Sequence, residues 1–522
     1  MRPWRRGASP RPLRPPRAFG LACSPARASR ATPARSGGSR RALLALRVRP
    51  PADLRHGRPA WPGGSPRPRG PRGLRRRPGD ARLARLLDRG PHPRPAPLGL
   101  PAARRPSVRP RAASPRAPDV PCGGPPVKLF LTGITGYLGG YIADRALAGG
   151  AQVTALVRAP DAARARARLW RALELHRSAE ELAELFAAGR LRAVLGDITR
   201  PRLGLSPALY ERVVAEHDAV VHAAASLNRR SPRACFEVNL RGGLELLQLV
   251  RRIHARGGLR RFVHVSTTAV AGRLRGAVVR EDEAVAWDRS DFDPYGRTKK
   301  FAEHLVRELL PDAPAIVVRP STVLGDSRFP ETTQFDMVRA FVGLARLPVL
   351  PFPPEARQDI VPADFVADAI AALLRAEAPA HRIYHLSAGT ASPSFRQITD
   401  RLARDLGRRR PLYLPRAGRS CARAVSLLAG VRTSPLRRVR AGAALMDAFW
   451  PYLEWDVVFD NARIVAETGL RPASFLDTCA PLYWFAVEGG FRYPHRALPA
   501  ALVQVPVLYA DEAALAAAEA SR

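Results

Sequence analysis

Val127-Lys-Leu-Phe-Leu-Thr-Gly-Ile-Thr-Gly-Tyr-Leu-Gly139 is the stretch from which the rest of the chain becomes readable. Its first five residues form an apolar run with the length of a buried parallel strand. A turn punctuated by glycine follows, and then a helix pattern that runs through Leu147 and stops at Gly149-Gly150. Gly133, Gly136 and Gly139 let the backbone turn tightly and come close to a pyrophosphate, while the helix N-terminus offers free N–H groups and a favourable dipole. A bare glycine triplet is a weak signal. At the first strand-to-helix turn it stands where dinucleotide binding requires it. Thr132, Gly133, Thr135, Gly136, Tyr137, Leu138 and Gly139 are the expected cofactor loop.

Outward from this turn, strand-like runs recur at 152–157, 191–195, 219–222, 262–266 and 315–318. Helical stretches separate them, notably 239–256 and 295–310. This alternation predicts an α/β fold, a Rossmann-type doubly wound parallel sheet spanning 127–325. Residues 326–505 are less regular, with Pro348, Pro351, Pro353 and Pro354, helix patterns at 362–376 and 395–407, and an aromatic-rich section at 449–485. They are expected to form a smaller, mixed substrate-binding region whose returning segments pack on the sheet's carboxyl edge.

The second strand ends in Val157-Arg158. An acidic residue there would hold the 2′-hydroxyl of NAD, whereas an arginine accommodates the 2′-phosphate of NADP. NADP (as NADPH) is therefore favoured over NAD, the plain alternative being a solvated surface arginine. Asp197 and Ile198 follow the third strand and Ala223, Ala224 and Ala225 the fourth, all beside the expected cofactor path. Tyr295 and Lys299 stand at i and i+4, on one face of a helix. An ammonium near a phenol is expected to lower the phenol's pKa, so that the pair exchanges a proton during hydride transfer. About thirty residues upstream, a strand ends in Ser266-Thr267-Thr268. Thr267, with Ser266 as alternate, is the hydroxyl expected to stabilise a developing oxyanion.

The 522-residue chain carries a formal charge of +40, but residues 1–120 alone, with 30 Arg, 4 Asp and neither Lys nor Glu, contribute +26 of it. That segment also holds 24 of the 52 prolines, so residues 1–122 are expected to form a disordered Arg/Pro-rich tail. A basic arm, a transit peptide and translated upstream sequence, with the working protein starting near Val127, are the competing readings. The tail lacks the interleaved aromatics of a stacking surface, so no nucleic-acid partner is expected. Lys128, Lys299 and Lys300 are the only lysines among 85 basic residues, and an ammonium can tune a neighbouring proton where a guanidinium cannot. Five scattered cysteines without a CxxC pair predict a reduced, cytoplasmic setting and no metal site. No apolar run reaches the roughly 18 residues of a membrane span.

Together the glycine loop, the Tyr295/Lys299 pair and Thr267 resemble the extended short-chain dehydrogenase/reductases over about 127–375. Gly196-Asp-Ile-Thr199, Leu203-Gly-Leu-Ser206, His222-Ala-Ala-Ala-Ser-Leu-Asn228, Val265-Ser-Thr267, Arg319-Pro-Ser321 and Asp359-Ile-Val-Pro362 are similar to the thioester reductase and fatty acyl-CoA reductase branch. The resemblance implies NADPH-dependent reduction of an acyl thioester, on coenzyme A or on a separate acyl carrier protein, to an aldehyde. It also implies that Lys299 holds the nicotinamide ribose, adds Pro320 and Ser321 to the cofactor-binding set, and is compatible with a homodimer. Nucleotide-sugar epimerases or dehydratases and ketone reductases share the same catalytic trio, and a non-catalytic NADP-binding regulator is the reading from another class.

Overall fold

The computed structural model describes residues 126–282, 285–430 and 437–508. The expected tail, residues 1–122, lies outside these described residues. Eight strands form one parallel sheet: β1 (Lys128–Thr132), β2 (Gln152–Val157), β3 (Leu191–Leu195), β4 (Ala219–His222), β5 (Arg261–Val265), β6 (Ala315–Pro320), β7 (Ile383–Leu386) and β8 (Val507–Leu508). Their spatial order is β7-β6-β5-β4-β1-β2-β3-β8, every neighbouring pair being parallel. The chain builds outward through β2 and β3, then returns to lay β4 against the other side of β1. That reversal opens a crevice at the strands' carboxyl ends, the general ligand position in such sheets.

The strands alternate sides as a period of two demands. Leu129 and Leu131 of β1 enter one core layer and Phe130 the other. The first layer is covered by α1 (Tyr137–Ala148), α2 (Ala162–Leu173) and, from far along the chain, Ala363–Arg375; the second by α3 (Pro207–Glu216), α4 (Gly242–Ala255) and α5 (Pro294–Leu309). The doubly wound sheet expected from the sequence is thus present.

The C-terminal region divides its residues between two jobs. The helices α6 (Asp336–Ala345), α8 (Phe395–Asp405) and α9 (Phe475–Glu488) pack a core of their own through Val338, Val342, Ile398, Leu402, Phe475 and Leu482. Ala363–Arg375 (α7), β7 and β8 instead complete the sheet and its helical cover. One departure lies in the helical stretch expected at 239–256. Its first turn, Phe236–Arg241, is a π-helix that continues into α4. Such bulges shift side chains around the helix axis and often sit at functional sites.

Candidate functional site

A cleft enclosing about 3140 Å³ of empty space, solvent mouth included, runs along the carboxyl ends of the strands from Arg158 to Tyr295. Every residue named above as cofactor-binding or catalytic lines it.

At its centre the glycine turn is locked by contact. Gly133 has φ +87°, and a Cβ there would stand 2.5 Å from the Ala224 nitrogen. A Cβ on Gly139 would stand 2.0 Å from the Gly133 carbonyl oxygen. The two glycines therefore allow β1, α1 and the Ala223-Ala224 backbone to meet, and no larger residue does. Gly136 donates its N–H to the Gly133 carbonyl (2.9 Å) and is the N-cap of α1, with no side chain closing the helix end. An uncapped helix N-terminus facing a cleft fits a phosphate. Tyr137 donates from its hydroxyl to the Gly325 carbonyl (3.0 Å), tying the loop to the strand beyond. The Thr132 hydroxyl is 2.8 Å from Nδ1 of His222, whose burial lowers its pKa to about 3 and keeps it neutral. This pair belongs to the packed sheet end.

At the far end of the cleft Arg158 is exposed, and α2 adds Arg168 and Arg171 to the same wall. Arg168 donates to the Arg158 carbonyl and to the Thr135 hydroxyl (3.2 Å). Three arginines thus line this end of the cleft. Arg168 and Arg171 were not legible as site residues, because an arginine-rich amphipathic helix reads as an ordinary solvated face. Asp197 turns back on its own loop, accepting from the Thr199 N–H (2.9 Å) and hydroxyl (2.8 Å). Ile198 packs against Gly242, where a Cβ would come within 2.9 Å.

The other end holds the tyrosine helix. Asp293 caps α5 by accepting from the Gly296 N–H (2.8 Å), and Pro294 occupies the first turn. Tyr295, Lys299 and Glu303 then follow at successive turns and are all buried. Lys299 donates from Nζ to the Val265 carbonyl (2.7 Å). Burial lowers its pKa to about 8, against an opposing pull from Glu303. The Tyr295 phenol moves the other way from the sequence expectation. Burial raises its pKa, opposed first by the guanidinium of Arg229 and then by a hydrogen bond with Thr267. The cation beside the phenol is therefore Arg229, because Lys299 is engaged by the end of β5.

Thr267 and Ser266 separate clearly. Thr267 is half-buried, lines the cleft, accepts from the Ala269 N–H (3.2 Å) and hydrogen-bonds the Tyr295 phenol. Ser266 is buried and donates to Glu303, which also takes Arg319 in an ion pair (2.7 Å). Its hydroxyl is committed to a structural network, whereas that of Thr267 opens on the cleft.

Two residues escaped the sequence reading. Arg229 donates to Asp293 (2.7 Å) and to the Tyr452 hydroxyl (2.6 Å), and its guanidinium carbon lies 4.9 Å from the Tyr295 ring centroid. Asn239, on the π-helical turn, accepts from the Ser226 N–H (2.7 Å) and donates to the Ser226 carbonyl (3.2 Å) and to Thr298 on α5 (3.0 Å). It fastens the loop after β4 to the tyrosine helix. A buried asparagine in an apolar helix was the one available signal for it.

Residues 131–370 match the family model described as male sterility protein. The nonribosomal peptide synthetase asaC of Aspergillus flavus is 30% identical over 258 residues, covering 47% of this chain and 24% of that protein. The isonitrile lipopeptide synthase of Streptomyces coeruleorubidus is 38% identical over 143 residues, 26% of this chain and 9% of that protein. The chain thus spans less than a quarter of the length of either relative. Among solved structures, the terminal R domain from the myxalamid PKS-NRPS biosynthetic pathway superposes with a TM-score of 0.60 at 26% identity, covering 72% of this chain and 94% of that domain. The reductase domain of a nonribosomal peptide synthetase from Mycobacterium tuberculosis shares the fold, with a TM-score of 0.54 at 23% identity over 70% of this chain and 94% of that chain.

Proposed function

From the match of residues 131–370 to the male sterility protein model and the likeness to a terminal reductase domain, we propose that this chain reduces an acyl thioester to an aldehyde at the expense of NADPH. The observation that carries the proposal is the shared cleft. A phosphate-accepting glycine turn and three arginines occupy one end, and Thr267, Tyr295 and Lys299 the other.

The open N-terminus of α1 and the bare backbone at Gly133 and Gly136 suit the pyrophosphate, and Arg158, Arg168 and Arg171 suit a 2′-phosphate. When bound, the nicotinamide supplies the hydride that the thioester carbonyl carbon accepts. The residues of the chain handle the oxygen and the protons. Thr267 and Tyr295 donate hydrogen bonds to the carbonyl oxygen and take up the charge that develops there. Tyr295 delivers a proton to that oxygen, a task for which a phenol held protonated by burial is suited. Lys299 would hold the nicotinamide ribose. Collapse of the resulting hemithioacetal breaks the C–S bond, returns the proton to the departing thiolate and leaves an aldehyde. One hydride and one proton are consumed per thioester. The thiol is the pantetheine arm common to coenzyme A and to a carrier protein.

NADPH oxidation by the full chain, measured against acyl-pantetheine thioesters, UDP-sugars and ketosteroids, tests this. The expected result is turnover of thioesters with equal yields of aldehyde and free thiol. Turnover confined to a UDP-sugar or a ketosteroid would overturn it. The cofactor preference is tested by Arg158→Ala, which should raise KM for NADPH and leave KM for NADH unchanged.

A further inference from the structure

After α9, residues 489–508 cross the molecule as a strap and end in the sheet. On the way the Phe491 carbonyl accepts from Arg339 on α6 (2.9 Å). Leu502, Val505 and Val507 then enter the first core layer, and β8 pairs with β3, Val507 opposite Ala193 and Leu508 opposite Val194. Between these two anchorages the strap lies along α2, the helix that brings Arg168 and Arg171 to the cleft.

Helical periodicity divides α2 into three stripes. Ala162, Ala165, Leu169 and Leu173 face the core. Arg168, Arg171 and Ala172 line the cleft. Arg166, Trp170 and Glu174, each four residues from the next, all meet the strap. Arg166 donates from Nε to the Val505 carbonyl (2.8 Å), and the Trp170 indole N–H donates to the Arg496 carbonyl (3.2 Å). The guanidinium carbon of Arg496 lies 4.8 Å from the centre of the Trp170 ring. Glu174 accepts from the Arg496 N–H (3.0 Å) with its carboxylate and from the Arg496 guanidinium (2.9 Å) with its carbonyl. The other carboxylate oxygen meets Nδ1 of His495, which in turn lines the cleft with Arg171.

Glu174 stands where a carboxylate is ordinarily disfavoured. It is the C-cap of α2, at the negative end of the helix dipole, and its side chain is fully buried. A buried carboxylate persists only where donors and cations meet it, and the strap supplies them. The helix also carries Arg164, Arg166, Arg168 and Arg171 and no acidic residue. Their mutual repulsion drives these side chains apart and out into solvent. A helix turns as one body, so the stripe gripped by the strap fixes the stripe that faces the cleft.

We propose that the strap belongs to the cofactor site: Glu174, His495 and Arg496 are positioning residues that hold Arg168 and Arg171 ready for a phosphate on the adenosine 2′ oxygen and so set the preference for NADPH. The proposal rests on the NADPH reading above and deepens it. Arginines oriented before the ligand arrives lose less side-chain freedom on binding, and the gain falls on the ligand that carries the extra phosphate.

The test is calorimetric binding to the full chain of adenosine 2′,5′-bisphosphate and adenosine 5′-monophosphate, probes that differ by the 2′-phosphate alone and need no turnover. Wild type should bind the bisphosphate about tenfold tighter or more. Glu174→Ala, which cuts the strap from α2, should lose most of that advantage and keep its affinity for the monophosphate within about twofold, the sign of a folded adenosine site. Arg496→Ala, a change at an exposed side chain that keeps the backbone N–H, should lose part of it. An unchanged advantage in both variants overturns the strap's role and leaves the NADPH reading standing. Equal weakening of the two probes makes the contact merely structural and overturns it as well. Wild type that does not tell the probes apart overturns the NADPH reading, and the strap's role falls with it.

Discussion

Arg229 and Tyr295 lie face to face, the guanidinium carbon 4.9 Å from the centre of the phenol ring, while the same guanidinium grips Asp293, the cap of the helix that carries the tyrosine. One side chain therefore fixes both the electrostatics and the orientation of the proposed proton donor. Lysine cannot reproduce the planar contact with the ring. Arg229→Lys should lower kcat by about tenfold, equivalent to about 1.4 kcal/mol of barrier, with NADPH binding unchanged. Steady-state kinetics alongside cofactor titration checks this. A change in cofactor affinity alone would show that Arg229 acts elsewhere.

Burial places Lys299 near pH 8 and keeps Tyr295 protonated well beyond it. In the free enzyme the ammonium is present below that value and lost above it. The kcat/KM profile should therefore fall through an alkaline limb near pH 8, and Lys299→Arg, with a cation that does not titrate, should abolish that limb whatever its residual rate. The sign for stability is opposite. An unfolded lysine keeps its proton to about pH 10.4, so between the two values the unfolded chain binds more protons and this group's contribution to stability rises with pH. An alkaline limb that survives in Lys299→Arg belongs to another group.

Thr267 and Ser266 are neighbours with different partners, and their alanine variants should separate cleanly. Thr267→Ala should reduce kcat by roughly a hundredfold, the usual scale for one oxyanion donor, at unchanged Tm. Ser266→Ala should leave kcat within a few-fold and lower stability, because it strips a donor from Glu303 inside a buried ion pair. Thermal melts and single-turnover rates on the two variants decide it.

Arg168 touches both the Arg158 backbone and Thr135 of the cofactor loop. Arg168→Ala should raise KM for NADPH by about tenfold or more and affect NADH only slightly, as expected of a charge-assisted contact to a phosphate. An equal effect on the two cofactors would assign Arg168 to holding the loop.

The sheet and the cofactor turn were legible because local chemistry dictates them. Short apolar runs bounded by glycine leave few alternatives, and Gly133 and Gly139 stand where a Cβ has no room. The Tyr295–Lys299 spacing was legible for the same reason, since a helix places i and i+4 together. What could not be read was set by long-range contact. Arg229 meets Tyr452 across 223 residues of chain, one arginine among dozens. Glu303 turned Ser266 from a candidate into a structural donor only because Arg319 packs beside it. The direction of the Tyr295 shift followed from burial, which no spacing reveals. A second chamber beside the cleft draws most of its walls from helices without a motif, so it emerges only when α6, α8 and the 449–459 segment are brought together.

Tyr295→Phe removes one oxygen from the centre of the cleft and keeps the ring that Arg229 packs against. Its rate of aldehyde formation from an acyl-pantetheine thioester, measured under saturating NADPH with cofactor binding followed in parallel, probes the thioester reductase activity most directly. Native NADPH affinity and a loss of at least a hundredfold in rate are expected. Native turnover in the variant would contradict this.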